Sequence, residues 1–455
     1  MARRLEPFEC EIAELGPRGT GVGIAPDGRP VEVRGGLPGS RVAVVPTGRR
    51  KGVWTARRTA LLTPPPGYEP PPCPIFGLCG GCTLQELALP VQRAHKHRRA
   101  VTEVGPGSAV VHPPRGGSRA YGYRNKLELT FGPRRYLDEA AHAAGAPIAG
   151  RFLGFHAPGR FDRIVDVERC LLAGHALDDL LTAARRASLR PEAPPPWDAR
   201  THVGFWRHLV LREAAGGTLA VIVTSPPAAD ESAAVEQLAS ALLEAGASGV
   251  AWWVNDGVAG VARGRTERTW GRGSVDERLG HLTLTVSAAS FLQTSTEGAV
   301  VLYDTVAEAL GRGGTLIDLY CGIGAIGLYV ADRFDAIVGI EEIAEAVTDA
   351  ERNAARAGVA ARFVHARVED ALDEIAAGPD VHVVVDPPRA GLHPRVAAKL
   401  ASLPVASLVY VACAPASLGR DARILEGGGL RMTDLYTVDL FPQTGHVEAV
   451  ARFVR

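Results

Sequence analysis

Cys413 closes the apolar run Leu408-Val-Tyr-Val-Ala412 and stands just before a turn broken by Pro415. A thiol where a strand gives way to a loop is placed for chemistry, because loops beyond the carboxyl ends of strands carry the sites of open α/β sheets. A second group of the right type follows in Asp439-Leu-Phe-Pro-Gln-Thr-Gly-His-Val-Glu448, where Glu448 enters the terminal strand-like run to Val454. Val447, Ala449, Ala451 and Phe453 fall on one face of that run and Glu448 on the other. A nucleophile and a base are the minimum for covalent catalysis with proton removal.

Two further stretches fit a ligand site. Thr315-Leu-Ile-Asp-Leu-Tyr320 reads as a strand and Cys321-Gly-Ile-Gly-Ala-Ile-Gly327 as a glycine turn opening a helix. Gly322, Gly324 and Gly327 match a dinucleotide-type fingerprint, and Glu341, at the end of the next strand from Ala336 to Ile340, sits where a ribose-binding carboxylate belongs. That turn alone does not separate a dinucleotide from S-adenosylmethionine. Val381-His-Val-Val-Val-Asp386-Pro-Pro-Arg389 then ends a buried strand in an acid and two prolines, a stiff rim that suits orienting a cofactor and a planar base. Arg389 and Arg420 are the cations available to favour a Cys413 thiolate.

The seven cysteines are Cys10, Cys73, Cys79, Cys82, Cys170, Cys321 and Cys413. An odd number argues against a disulfide framework. Cys73, Cys79 and Cys82 lie within ten residues, with Gly80 and Gly81 between the last two, and Cys170 is the natural fourth. Their five-then-two spacing suits a 4Fe-4S cluster better than zinc, which favours paired Cys-x2-Cys. It also differs from the three-then-two spacing of radical enzymes, so a structural or redox-sensing role is expected.

These groups need three positioning modules, which suits a chain of 455 residues at about 150 per domain. Residues 8 to 60 alternate apolar and polar positions between glycine turns, as expected of a small OB-like barrel. Its basic run Arg49-Arg-Lys51, with Trp54, Arg57 and Arg58, suggests an aromatic and charged face for nucleic acid; this stretch resembles a TRAM domain. A proline-rich connection runs from Thr63 to Pro74, and a helical pattern with many basic residues covers Gln85 to Ala100. Tyr121 to Phe131 reads as a strand carrying Arg124 and Lys126, suited to unpaired bases and phosphates. His202, His208, Trp206, Trp252 and Trp253 have no ligand spacing and belong to an α+β middle region. The expected domains are 1–62, 63–275 (with part of 85–112 free to pack on the catalytic part) and 276–455.

Formal net charge is zero, yet residues 1–135 hold 21 Lys and Arg against 10 Asp and Glu, while 136–455 hold 29 against 40. The basic front suits a polyanion. No stretch approaches the roughly 20 apolar residues of a membrane span, so a cytoplasmic monomer without membrane contact is expected.

Taken together, the motifs resemble the RNA uracil-5-methyltransferase family, in its TRAM-bearing, iron-sulfur branch acting on 23S ribosomal RNA. The resemblance runs nearly end to end. It implies an α/β, β multidomain fold with a Rossmann-like methyltransferase domain using S-adenosylmethionine, a cluster on Cys73, Cys79, Cys82 and Cys170, and cofactor contacts at Gln293 (in Phe291-Leu-Gln293), Tyr320, Glu341 and Asp386. It makes Cys413 the nucleophile and Glu448 the base. The implied partner is ribosomal RNA ahead of the T-loop of a transfer RNA. Ala325 and Ser295 stand where some members have asparagine, which puts cofactor affinity or target choice in question. A non-catalytic RNA-binding iron-sulfur protein would lack the intact Cys413 and Glu448 pair. An oxidoreductase would leave Cys413 and the Asp386-Pro-Pro-Arg389 rim without a use. DNA cytosine methyltransferases typically carry Pro-Cys, whereas Ala412 precedes Cys413 here.

Overall fold

The computed structural model describes residues 6–228, 230–375 and 377–455. Phe8–Leu15, Gly21–Ile24, Pro30–Arg34, Arg41–Arg50 and Val53–Thr63 form a closed barrel. Alternation sends Cys10, Ile12, Val31, Val33, Val42, Val44 and Ala56 into its core. Trp54 goes there too, at 8% exposure, with its indole N–H donating to Asp27 Oδ2 at 2.9 Å and Arg49 lying 4.9 Å over its ring. The expected aromatic platform is therefore absent at this residue: its apolar body fills the barrel and its polar edge is satisfied internally.

The chain forms two compact units. One contains the barrel segment to Pro72, Cys82–Ala120 and Glu297–Arg455; the other contains Cys73–Gly81 and Tyr121–Thr296. In the second unit a seven-stranded sheet runs in the order Ile164–Asp166, Ala149–His156, Lys126–Arg134, Trp206–Ala214, Gly217–Thr224, Gly249–Val254 and Arg265–Gly271. His175–Ser188 and Glu231–Glu244 supply Leu177, Leu180, Leu181, Leu238 and Leu242 to its core, together with Trp206 and Trp252. His208 is buried on the same sheet and His202 is exposed.

The first unit carries an open sheet in the order Ala361–His365, Ala336–Glu341, Thr315–Leu319, Gly378–Val385, Val405–Ala412, Glu448–Val454 and Arg431–Asp439. The first five strands are parallel, and the Glu448–Val454 strand runs antiparallel between Val405–Ala412 and Arg431–Asp439. The order in which successive strands are added reverses between Thr315–Leu319 and Gly378–Val385, which makes the gap between them a topological switch point. Near-continuous apolar runs such as Val381 to Val385 reflect burial on both faces. Two short strands, Val110–Val111 and Arg115–Gly116, pair with Arg431–Asp439.

The basic helix spans Leu89–Val104 rather than beginning at Gln85. Pro90 falls in its first turn, where a missing N–H costs nothing, and Gly105 ends it in a left-handed conformation at φ 64°. Gly419 of the helix Pro415–Gly427 lets the two helices touch, since a Cβ there would lie 2.5 Å from the Glu103 carbonyl oxygen. Among the described residues no helix is long and apolar enough to cross a membrane.

Candidate active site

The strand Thr315–Leu319 breaks into a turn that needs unusual backbone angles. Tyr320 adopts φ 63° although it is not glycine, and Gly322 and Gly324 follow at 55° and 78°. Non-glycine residues avoid this region at a cost of about 1–3 kcal/mol, and such residues gather at functional sites. Glu341 braces the turn: its Oε2 accepts from Gly322 N and its Oε1 from Ile343 N, both at 3.0 Å. Burial and the carboxylates of Glu369 and Asp421 push the Tyr320 phenol up to about 12.

Sequence reasoning missed Asp318, a single acid inside the apolar strand. It is 1% exposed; Oδ2 accepts from Gly327 N at 2.9 Å, while Oδ1 has no protein partner. Burial, with Asp386 and Glu341 adding to it, raises its carboxyl to about 7. A Cβ on Gly327 would lie 3.0 Å from Asp318 Oδ2, so glycine leaves room for this close approach.

Asp386 directly follows the strand Gly378–Val385, and Cys413 directly follows Val405–Ala412. Glu448 arrives from the opposite direction: Ala412 pairs with Ala449, so the register sets Cys413 across from Glu448. The three groups feel one another. Burial raises Asp386 to about 7. Burial and then Asp386 raise Glu448 to about 8, and Arg389 opposes that rise. Burial, Glu448 and Asp386 push the Cys413 thiol up to about 11, and Arg389 again opposes. Glu448 is only 2% exposed. The buried ring of Tyr303 belongs to the same neighbourhood, its phenol raised by burial and by Asp386, Asp318 and Glu448; nothing in its local sequence signals this.

Of the two candidate cations, Arg389 is the one that acts on the thiol. Arg420 is committed to Asp421 Oδ1 at 2.8 Å and to the Ala390 carbonyl at 2.6 Å. Asp421, also unmarked by the sequence, ties the site together: its Oδ2 accepts from Tyr410 Oη and Leu392 N, both at 2.8 Å. It thereby joins the strand before Cys413, the helix after it and the loop carrying Arg389. Gly391, at φ 85°, permits that closure, since a Cβ would fall 2.5 Å from Asp421 Oδ2. Ser417 Oγ adds a bond to the Arg389 carbonyl at 2.8 Å.

Gln293 lies in the other unit, 8% exposed, where its backbone carbonyl accepts from Asn125 Nδ2 at 3.2 Å. Ser295 is buried beside it and Ala325 is buried in the first turn after the glycines. Cys73, Cys79 and Cys170 belong to that same unit and Cys82 to the first. Cys79 is pushed up to about 11 by burial, with Cys170 and Cys73 adding to the shift; Gly81 N, which donates to its Sγ at 3.3 Å, and Arg124 oppose it. The thiols suit a soft metal chemically, but among the described residues no group of three or more His, Cys, Asp or Glu is arranged to hold a metal ion.

Residues 274–453 match the family model described as tRNA (Uracil-5-)-methyltransferase. A protein of Chlorobaculum tepidum described as an uncharacterised RNA methyltransferase is 35% identical over 100% of this chain and 97% of its own length. A similarly described protein of Caldanaerobacter subterraneus subsp. tengcongensis is 34% identical over 98% of each chain. The solved structure of Pyrococcus abyssi tRNA (uracil-54, C5)-methyltransferase in complex with S-adenosyl-L-homocysteine superposes with a TM-score of 0.76 at 26% identity, covering 98% of this chain and 100% of that one.

Proposed function

The chain belongs to the RNA (uracil-5-)-methyltransferase family, and from that membership and the site we propose that it methylates carbon 5 of one uridine in 23S ribosomal RNA through a covalent cysteine adduct. The observation that carries this reading is the opposition of Cys413 and buried Glu448 across adjacent antiparallel strands, with Asp386 beside them. Carbon 5 of uracil is a weak nucleophile. In the proposed sequence the Cys413 thiolate adds to carbon 6, and the ring π electrons move onto the 4-oxygen. S-adenosylmethionine would supply an electrophilic methyl group on its sulfonium, taken up by carbon 5 as the enolate electrons return, with the methyl–sulfur bond broken and S-adenosylhomocysteine leaving as a neutral thioether. Once carbon 5 carries that methyl, Glu448 removes its remaining proton, the carbon–sulfur bond breaks, and the thiolate and the aromatic ring are restored. A base raised to about 8 is matched to a proton transfer near neutral pH.

Tyr320, Glu341 and Asp386 are assigned to the cofactor, the braced turn and the rim being rigid before anything binds. Gln293 is assigned to it through the motif alone. The barrel is read as a TRAM module that meets RNA, and Cys73, Cys79, Cys82 and Cys170 as ligands of a 4Fe-4S cluster, through which no step of the reaction runs. Iron and acid-labile sulfide measured on anaerobically purified protein test the cluster: four of each are expected, and none would remove it.

A transfer RNA target is the second reading, favoured by the name of the matching family and the Pyrococcus abyssi relative. Mass-spectrometric mapping of 5-methyluridine in RNA from cells with and without the gene decides between them. Cys413→Ala is expected to abolish methylation while sparing cofactor binding; normal turnover by that variant would overturn the mechanism.

A further inference from the structure

The segment Asp439 to Val447 that delivers Glu448 is mainly irregular, yet Asp439, Leu440, Gln443, Thr444 and Val447 are all buried. What holds it comes from far away in the chain. Lys96, 0% exposed on the helix Leu89–Val104, donates from Nζ to Asp439 Oδ1 at 2.8 Å and to the Phe441 carbonyl at 3.0 Å. One turn earlier, Gln92, also 0% exposed, accepts from Gln443 N at 2.8 Å and donates to Gln443 Oε1 at 2.9 Å. Its amide group also donates to the carbonyls of Leu84 and Leu87, at 3.1 and 2.7 Å. Gln443 is held in a left-handed conformation at φ 70°, and its carbonyl accepts from Thr83 N and Leu84 N. The barrel leans on the same loop: a Cβ on Gly445 would fall 2.3 Å from Gly19 N, and Arg99 Nη1 donates to the Gly16 carbonyl at 3.1 Å.

A buried ammonium is costly to desolvate, and a buried pair of this kind is often no more stable than apolar residues of the same volume. Burial indeed lowers the Lys96 pKa, against the opposing pull of Asp439. The alternative use of such a pair is to fix one geometry out of several, and here the object fixed is the loop leading into Glu448. We infer that Lys96 and Gln92 are positioning residues for the base, holding Asp439 to Val447 so that the Glu448 carboxylate stays opposite Cys413. This rests on the reading of Cys413 as nucleophile and Glu448 as base.

Glu448 acts after the methyl group has moved, so loosening it retards release of the product and not formation of the adduct. The test uses the full chain, S-adenosylmethionine and the in vitro transcript that the wild type methylates, 23S rRNA or tRNA. Covalent protein–RNA adduct is followed on denaturing gels, and release of methylated RNA is followed in single turnover. For Lys96→Met, adduct formation is expected within about threefold of wild type, with release slowed at least tenfold and adduct accumulating as in Glu448→Gln. Gln443→Gly keeps the backbone bonds, suits the left-handed angle and removes the side chain alone, with its pair to Gln92 and its 3.5 Å bond to the Ala120 carbonyl; it decides the matter if Lys96→Met does not fold. Formation and release falling together, or neither changing, in a folded variant would overturn the inference. Absence of adduct in both wild type and Glu448→Gln would instead overturn the mechanism on which it stands.

Discussion

Replacing Glu448 with glutamine should produce an enzyme that is dead in turnover yet carries a more reactive thiol. In the folded chain Cys413 is displaced from 9.0 to about 11, chiefly by burial and then by the charges of Glu448 and Asp386. At pH 9 about one thiol in a hundred is therefore ionised. Glu448 titrates near 8, so at that pH it is mostly ionised and its charge disfavours the thiolate. Glutamine keeps the size and removes the charge. Since burial remains the larger cause, the substitution should lower the thiol pKa by roughly half a unit to one unit, a three- to tenfold rise in thiolate. Iodoacetamide alkylation of Cys413, measured by peptide mass spectrometry with Cys413→Ala as the blank, should quicken by that factor at pH 9. At pH 6.5 the wild-type carboxyl is already protonated, and the two proteins should react within about twofold of each other. An unchanged or slower alkylation at pH 9 in the glutamine variant would refute the opposition of these two side chains.

The same carboxyls bear on stability. Asp318 and Asp386 rise from 3.8 to about 7 and Glu448 from 4.5 to about 8, so the folded chain holds extra protons between roughly pH 4 and 8 and loses stability as pH rises through that window. The ligand-free melting temperature should fall from pH 5 to pH 8, and Glu448→Gln should raise it at pH 8 by about 2–4 °C while leaving it unchanged at pH 5. Asp421→Asn leaves the bonds from Tyr410, Leu392 and Arg420 without their charged acceptor; urea unfolding should show a loss of roughly 2–4 kcal/mol, with a raised KM for S-adenosylmethionine. Gly445→Ala sets a methyl group against the Gly19 backbone, which cannot swing aside, and should cost more than about 2 kcal/mol in the same assay. Gly427→Ala, at the end of a helix with open space around it, should be neutral or stabilising by a few tenths of a kcal/mol.

Strand alternation between glycine turns was enough to read the barrel, and apolar runs ending in Tyr320, Asp386 and Cys413 were enough to read the parallel sheet. Both are local patterns with a fixed period, so the sequence displays them directly. Trp54 was misread because an exposed and a buried tryptophan look alike until the acceptor at Asp27 and the cover of Arg49 are known. Asp318 could have been suspected from its place inside an apolar strand. Asp421 and Tyr303 could not: each gains its role from elements that meet only after folding.

The helix Leu89–Val104 shows the physical reason most sharply. Its run of Arg93, His95, Lys96, His97, Arg98 and Arg99 reads as one basic surface because composition averages around the helix. The fold resolves it by face instead. Gln92, Lys96, Ala100 and Val104, spaced four apart, form the buried stripe, and two of the four are polar. A search for apolar periodicity passes over such a stripe, since what pays for burial there is hydrogen bonding to the segment before Glu448 and not transfer of hydrocarbon from water. Arg93 and Arg99 are likewise spent on the carbonyls of Gly117 and Gly16, leaving exposed Arg98 as the arginine of this helix whose side chain bonds only to a neighbour on its own helix, His95. On this helix, charge that looks available for RNA in the sequence is thus largely committed to partners inside the fold. An RNA footprint on this unit should therefore be sought first on the barrel's exposed Arg49, Arg50 and Lys51, and Lys51→Ala with Arg50→Ala should lower the salt dependence of RNA binding while Arg99→Ala should lower thermal stability.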